Sequence, residues 1–250
     1  MAVALRTSNP ALRSDAFARQ PRAFGAEVMT VQGTATKALV LLLLALVTAS
    51  YTWREIFVGG GQYVGPLMMV GTIGGLILAV ITVFKQAWSP VTAPLYAAFE
   101  GLALGGISAY FESRFPGIAI QAVGLTLAVF VALLLAYKTG TIQATDRFKR
   151  GIIAATGGVM ILYVVEMVLS FFGIHIPYIH ESGLIGIGFS AVICVVAALN
   201  LILDFDLIEQ GARRGAPKHM EWYGAFALMV TLVWLYLELL RLLAKLRQND

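Results

Sequence analysis

The sequence is poor in charge. Of its 250 residues, 18 are Lys or Arg and 14 are Asp or Glu, so charged residues make up 13% of the chain, against roughly 25% in soluble domains. Hydrophobic residues make up 59%, and the mean hydropathy is +0.81. So few charges cannot cover a core with a water-facing shell. The composition excludes an ordinary soluble protein and predicts an integral membrane protein.

Cysteine is almost absent, and so are catalytic motifs. Cys194 is the only cysteine, which excludes an internal disulfide and any metal site built on several cysteines. His175 and His180 lie in one predicted outer loop, residues 173–183, whereas His219 lies across the membrane from them, so the histidines do not form a zinc pattern. No phosphate-binding glycine loop, metalloprotease helix or nucleophile elbow is present. We therefore expect neither an enzyme nor a resident cofactor.

Long apolar runs are what the sequence has instead. They are continuous and lack the alternation of barrel strands, which predicts an all-α integral membrane protein. Seven transmembrane helices are expected, at residues 37–53, 63–84, 91–111, 118–137, 151–172, 184–203 and 222–243. Residues 37–250 are then one seven-helix transmembrane domain surrounded by membrane lipid.

Residues 1–36 form the one long polar stretch. Its arginines outnumber its acids, and prolines stand at 10 and 21, which indicates a basic, mostly disordered cytoplasmic arm. No apolar run precedes Ala38, so a cleaved signal peptide is not expected and the first helix should remain in the mature protein.

Lys and Arg alternate between rich and poor loops, and this alternation places the N-terminus in the cytoplasm. Seven spans would put the C-terminus outside, where Arg241, Lys245 and Arg247 contradict the rule. Either packing holds the last helix in place, or that helix is central or re-entrant; both remain open. The formal charge of +4 lies mostly beside apolar segments, so we expect no nucleic-acid partner.

Small residues form stripes on several predicted helices. A glycine without a side chain lets two helices approach closely in a membrane. We therefore expect helix-packing surfaces, and not ligand sites, at Gly71, Gly74, Gly75, Gly101, Gly105, Gly106, Ser108, Gly186 and Gly188.

Acidic residues inside the spans are the main candidates for function, because a charge in a bilayer must be paired, protonated or hydrated. Glu100 lies near mid-depth, Asp204 lies at the inner end of its span, and Glu166 and Glu238 lie in the outer half. Depth alone allows Glu166 and Glu238 to meet. A salt bridge to Arg241 is a competing role for Glu238, and a hydrogen-bonded protonated acid is the competing role for Glu100.

The inner boundary of the sixth span carries several acids. Asp204 shares a helix face with Asn200, whereas Asp206 and Glu209 are expected to be solvated acids facing the basic loop at Arg213. Neighbouring carboxylates in a low dielectric do not both ionise easily, so they can sense pH. When ionised, they offer hard oxygen ligands suited to Ca²⁺.

The chain resembles the bacterial branch of the Bax inhibitor-1/YccA family, also called the transmembrane Bax inhibitor motif family. Four stretches carry the likeness: TSNPAL at 7–12, YAAFEGLALGGIS at 96–108, NLILDFDLIE at 200–209 and WLYLELLRLL at 234–243. The resemblance implies a multi-pass protein of the bacterial cytoplasmic membrane whose seventh helix is central in the bundle. It also implies a Ca²⁺ leak controlled by two aspartates. Asp204 matches the first of these, and Glu238 stands at the second, with Glu in place of Asp.

These observations lead to one preferred function and one alternative. The preferred function is a pH-sensitive cation leak channel, carrying Ca²⁺ as the transported ion, with Asp204 and Glu238 as the gate and as a transient ion-binding site. Glu100 and Glu166 are secondary candidates. The alternative is a non-transporting membrane regulator that binds a quality-control protease or another membrane protein through residues 1–36 and the loop 138–150.

Overall fold

A computed structural model describes residues 27–172 and 183–249 of the chain. Most of the predicted basic arm and the predicted outer loop with His175 and His180 lie outside the described residues. The described part is all-helical, with seven long helices and one short 3₁₀ turn. The long helices are α1 Val31–Phe57, α2 Val64–Phe84, α3 Ser89–Arg114, α4 Ile118–Lys138, α5 Asp146–Phe171, α6 Leu184–Arg213 and α7 Met220–Gln248; the 3₁₀ turn is Gln86–Trp88.

Local sequence explains several helix ends. Thr30 caps α1 by accepting a hydrogen bond from the Gly33 amide at 2.9 Å, so the helix begins before the predicted edge at Lys37. Thr145 caps α5 in the same way. The helix α6 continues to Arg213, beyond the predicted end at residue 203, because Asp206 is paired with Lys149 and Glu209 with Arg213. These pairs allow polar residues to extend an apolar helix.

Six of the long helices are long and apolar enough to cross a membrane: all of those described except α3. The helix α3 is the more polar one, with Glu100, Glu112 and Arg114 along its length and Pro94 in its interior. A multi-pass membrane protein follows from the six apolar helices.

Glycine stripes hold α1, α2 and α3 together. A Cβ atom at Gly71 would lie 2.7 Å from the Phe99 carbonyl oxygen, and one at Gly101 or Gly105 would overlap the backbone of Ala45 or Ala49 on α1. The predicted close packing is confirmed at these glycines. It is wrong at Gly188, where nothing described lies within 4 Å of the Cβ position.

The last helix contains most of the core. Of the candidate spans, α7 has the largest buried share, and it packs against α1, α3, α4 and α6. Its apolar side chains form one cluster with those of α1 and α6, including Leu41, Leu201 and Phe226. Side chains of α1, α3, α4 and α6 therefore all pack against α7.

The segment before α1 is fastened to the start of α7. The Met29 amide donates to the Ala216 carbonyl at 2.7 Å, and Val28 forms an isolated antiparallel bridge with Pro217. Glu221 accepts hydrogen bonds from both the amide and the hydroxyl of Thr30 at 2.9 Å. The chain therefore enters its first helix at the same end of the bundle where its last helix begins.

Candidate functional site

The interface of α6 and α7 carries two buried carboxylates, Asp204 on α6 and Glu238 on α7. The two helices run antiparallel, and two contacts fix their register. Lys245 donates to the Ser190 hydroxyl at 2.8 Å, and the Thr231 side chain faces Asp204. Moving fourteen residues along α6, from Ser190 to Asp204, moves the partner fourteen residues back along α7. The register is therefore constant over about four turns.

Asp204 is fully buried and has no counter-ion. Its side chain is 0% exposed, and neither carboxylate oxygen has a hydrogen-bond partner among the described residues. The Thr231 hydroxyl faces it but makes a long hydrogen bond, 3.4 Å, to the Ala227 carbonyl. Leu201, Ile202, Leu203 and Phe205 around it in the chain are all buried. A carboxylate in such a place requires a proton, a cation or a water molecule to satisfy it.

Glu238 is also buried, but it is well partnered. It is 2% exposed, accepts a hydrogen bond from the Tyr163 hydroxyl at 2.7 Å, and forms an ion pair with Arg241 at 2.9 Å. The competing role that the sequence left open for Glu238, a salt bridge to Arg241, is therefore present in the structure. Tyr163 lies on α5, so this cluster connects α5 to α7.

A cavity of about 260 Å³ opens beside Glu238. Its polar lining residues are Tyr163, Ser190, Glu238, Arg241, Lys245 and Gln248. Lys245 also donates to the Gly186 carbonyl at 3.2 Å. The cavity therefore combines one carboxylate with two cations near the start of α6 and the end of α7.

The two gate candidates lie at different levels of one interface. In the register of α6 and α7, Asp204 faces Thr231, and Glu238 is seven residues further along α7. Seven residues of helix span two turns, roughly 10 Å. The structure therefore does not bring the two carboxylates into contact, and an intervening group is needed to link them.

The secondary candidates lie on other helices. Glu100 on α3 is partly buried, with the Tyr96 side chain as its hydrogen-bond partner one turn earlier and Gly75 of α2 against its carboxylate. Glu166 on α5 lies near Lys245, which also interacts electrostatically with Glu238. Glu166 and Glu238 thus lie at the same end of the bundle and both interact electrostatically with Lys245, whereas Glu100 lies on another helix and contacts Tyr96.

Two buried polar contacts were not predicted from the sequence. Glu221 is 0% exposed and pairs with Lys37, and Asn200 donates to the Thr156 hydroxyl at 2.7 Å. Glu221 stands one residue from the start of α7, where an acid is usually exposed, and the partner of Asn200 is 44 residues away. A sequence pattern within one helix carries no signal for either contact.

No group of three or more His, Cys, Asp or Glu side chains that could hold a metal ion occurs within 27–172 and 183–249.

Comparisons with known proteins agree with the helical pattern. The family model described as Bax inhibitor 1 like matches residues 9–248. No curated protein sequence matches the chain. Since the family model covers nearly the whole sequence, including every helix of the bundle, the chain belongs to the Bax inhibitor 1 like family.

Proposed function

We propose that this protein is a pH-sensitive cation leak channel that carries Ca²⁺ across the bacterial cytoplasmic membrane. In this proposal all seven long helices span the membrane, α7 is the central helix, and the N-terminus is cytoplasmic. Asp204 and Glu238 are the protonatable groups of the pathway. The protein carries no resident cofactor and performs no enzymatic reaction.

The observation that carries the proposal is the state of Asp204. It is 0% exposed, it has no hydrogen-bond partner among the described residues, and it lies inside an apolar helix. A buried ionisable residue without a partner is costly to retain, and such residues mark ion and proton pathways in membrane proteins. A proton and a cation compete for the same carboxylate, so occupancy by the cation depends on pH.

Glu238 supplies a second station on the same interface. Its carboxylate is held by Tyr163 and Arg241, and a cavity adjoins it. The Arg241 side chain is 52% exposed, so it can leave the carboxylate when a cation arrives. A cation would then pass between Glu238 and Asp204 across two turns of α7.

The charged and titratable groups near these two acids are few. Tyr163 of α5 and Arg241 of α7 contact Glu238, Cys194 of α6 lies close to it, and Lys245 interacts with it at longer range. Thr231 is the polar side chain that faces Asp204. Because Asp204 lacks a counter-ion while Glu238 has one, Asp204 should dominate the pH dependence.

The test is Ca²⁺ flux into proteoliposomes at several pH values between about pH 6 and pH 8. Asp204→Asn removes the titratable group and should flatten the pH profile, and Glu238→Gln should shift the profile by a smaller amount. Glu209→Gln is the matched control, because Glu209 lies one and a half turns beyond Asp204 but is paired with the exposed Arg213.

The outcomes separate the candidates. A pH-dependent flux that is altered by Asp204→Asn and unchanged by Glu209→Gln supports the proposal. An Asp204→Asn profile identical to that of the unmodified protein removes Asp204 from the mechanism. Flux no greater than in protein-free vesicles overturns the channel and leaves a membrane regulator that acts by binding another protein.

A further inference from the structure

A long groove runs down the side of the bundle between α1 and α4. The helix α1 packs on α3, and α4 packs on α6 and α7, so the two helices leave a cleft whose floor is α7. The cleft contains a wide part of about 950 Å³ and a narrower part of about 420 Å³. Leu42 and Leu232 line both parts, which makes them one continuous groove.

The groove matches the depth of a membrane. Along α1 it is lined from Val31 to Trp53, a length of roughly 33 Å at the helical rise per residue. The hydrocarbon core of a bilayer is about 30 Å thick. Apolar side chains such as Leu39 and Leu127, which are 58% and 50% exposed, stand along its walls. The groove is therefore open sideways to the acyl chains of the membrane.

One end of the groove is polar and the other is not. The wide part ends at Tyr137, Lys138 and Arg213 together with Gln143, whereas the narrow part is lined almost entirely by apolar groups. We define the polar end as the mouth of the groove. An occupant of this shape has a polar head at the mouth and a hydrocarbon chain in the cleft.

The two acids at the mouth are already neutralised. Asp206 is paired with Lys149, and Glu209 accepts a hydrogen bond from Tyr137 at 2.5 Å and pairs with Arg213 at 2.6 Å. Lys138 has no acidic partner within the described residues, and the Arg213 side chain is 75% exposed. The mouth therefore has a surplus of one positive charge, on Lys138, beside the exposed guanidinium of Arg213.

We propose that the groove between α1 and α4 binds one anionic phospholipid, with its phosphate headgroup at Lys138 and Arg213 and one acyl chain in the cleft. Basic residues at the membrane surface attract anionic lipids, each contributing at short range, and the cleft contributes by burying hydrocarbon. The bound chain contacts Leu228 and Leu232 of α7, which flank Thr231, the residue that faces Asp204.

The test uses the full-length protein purified in detergent and native mass spectrometry to count retained lipids. Dipalmitoyl phosphatidylglycerol and dipalmitoyl phosphatidylcholine are added in separate titrations, so that the two probes differ only in headgroup. The expected result is one phosphatidylglycerol per chain, bound about tenfold more tightly than phosphatidylcholine, which corresponds to one strong headgroup contact.

Variants test the two ends of the occupant separately. Lys138→Gln with Arg213→Gln should remove the preference for phosphatidylglycerol, whereas Arg54→Gln with Arg114→Gln, at the opposite end of the bundle, should leave it intact. Ala35→Trp should fill the cleft and reduce binding of both lipids at least tenfold. Thr36→Trp, one residue further along α1 and outside the lining of the groove, should not.

Several results would overturn the inference. Equal retention of the two lipids excludes an anionic headgroup site. Equal loss in the Lys138/Arg213 and Arg54/Arg114 variants shows general charge attraction and not a site. Retention by a folded Ala35→Trp variant, verified by circular dichroism, shows that the chain does not lie in the groove. None of these readouts depends on ion flux, so they stand apart from the channel proposal.

Discussion

Glu221 holds the start of α1 against the start of α7. Its carboxylate is 0% exposed and interacts with Lys37, with Thr30 twice, and with Lys218 at 3.4 Å. Gly33 lies directly against it, where a Cβ atom would overlap the carboxylate. We expect Glu221→Gln to lower the free energy of unfolding by about 2 kcal/mol, because hydrogen bonds to a charged group are lost and the Lys37 ammonium is left without its acid.

Denaturant unfolding in detergent micelles measures this effect. Glu27→Gln is the control, because its ion pair with Lys218 at 3.7 Å is exposed, and exposed pairs contribute between 0 and about 1 kcal/mol. Equal destabilisation by the two substitutions would show that burial of Glu221 contributes nothing.

His219 makes stability depend on pH at the same end of the bundle. Burial lowers the pKa of His219 from its ordinary value of 6.5, and its Nε2 atom has no hydrogen-bond partner among the described residues. The folded protein then binds this proton less readily than the unfolded chain does. The stability contributed by neutral His219 is complete above pH 6.5 and is lost as pH falls below it.

We expect the free energy of unfolding to decline between about pH 7 and pH 5 in the unmodified protein and to decline less in His219→Gln. Lys218 and Glu221 flank His219, and its carbonyl accepts a hydrogen bond from Ser89 at 2.9 Å, which the substitution preserves. His175 and His180 are present in both proteins and cancel. Parallel pH profiles for the two proteins would contradict this assignment.

At the scale of the helix, glycine spacing decides how closely α1 and α3 approach. A Cβ atom at Gly101 would overlap the Thr48 hydroxyl and the Ala45 carbonyl. Gly101→Ala should therefore destabilise the fold by 1 to 3 kcal/mol, roughly the cost of overpacking. Gly124→Ala on α4, where nothing described lies within 4 Å, should stabilise it by up to about 1 kcal/mol through helix propensity.

Denaturant unfolding in detergent micelles also measures these two substitutions. The structure predicts that Gly101→Ala lowers the free energy of unfolding and that Gly124→Ala raises it. A stabilising effect of Gly101→Ala would mean that α1 is free to move away from α3.

The helices show what the sequence can and cannot predict. The apolar runs at 118–137 and 184–203 correctly indicated α4 and the start of α6, because continuous hydrophobicity records contact with lipid directly. The extension of α6 to Arg213 was missed, because it depends on Lys149, which lies on another helix. The prediction of close packing at Gly188 was wrong for the same reason. A small residue permits close packing, but whether another helix lies against it depends on the fold and not on the local sequence.

The candidate site also has a part that the sequence predicts and a part that depends on contacts with other helices. The positions of the acids along the sequence identified Glu100, Glu166, Asp204 and Glu238 as acids within spans or at their ends, because charge in a bilayer is rare. The choice of Asp204 and Glu238 as a pair came from the family resemblance. Their partners were not predictable, since Tyr163 is 75 residues from Glu238 in the chain. The two-turn offset between the acids depends on the register of α6 and α7, which the sequence does not record.

At the scale of the whole molecule, side-chain contacts sort the helix ends into two sets. At one end, the start of α1 contacts the start of α7 through the ion pair of Lys37 with Glu221, and the start of α3 contacts it through the hydrogen bond from the Ser89 hydroxyl to the His219 carbonyl. At the same end, the start of α5 contacts the end of α6 through the ion pair of Lys149 with Asp206. At the other end, Arg247 donates to the Pro116 carbonyl at 2.7 Å, next to the end of α3. The helix α3 thus extends from one end of the bundle to the other although it is not apolar enough to be a candidate span.

Positive charge is unequal between the two ends. Nine Lys or Arg residues of the described chain lie at the end where α7 begins, and five lie at the end where it finishes. The first set is Lys37, Lys85, Lys138, Arg147, Lys149, Arg150, Arg213, Arg214 and Lys218, and the second is Arg54, Arg114, Arg241, Lys245 and Arg247. The positive-inside rule therefore predicts that the first end faces the cytoplasm.

The single cysteine allows a direct test of this arrangement. Cys194 is buried, and Cys194→Ser gives a background in which single cysteines can be introduced at exposed positions. Ala87→Cys and Ser113→Cys flank α3, and Thr141→Cys lies in the loop between α4 and α5. If α3 crosses the membrane, a membrane-impermeant thiol reagent applied to cells should label Ser113→Cys and leave Ala87→Cys and Thr141→Cys unlabelled until the membrane is permeabilised.

Labelling of Ala87→Cys and Ser113→Cys from the same side would mean that six helices cross and α3 does not. Labelling of both Ala87→Cys and Thr141→Cys in intact cells, with Ser113→Cys protected, would reverse the orientation, and the charge at Arg241, Lys245 and Arg247 would then have decided the topology.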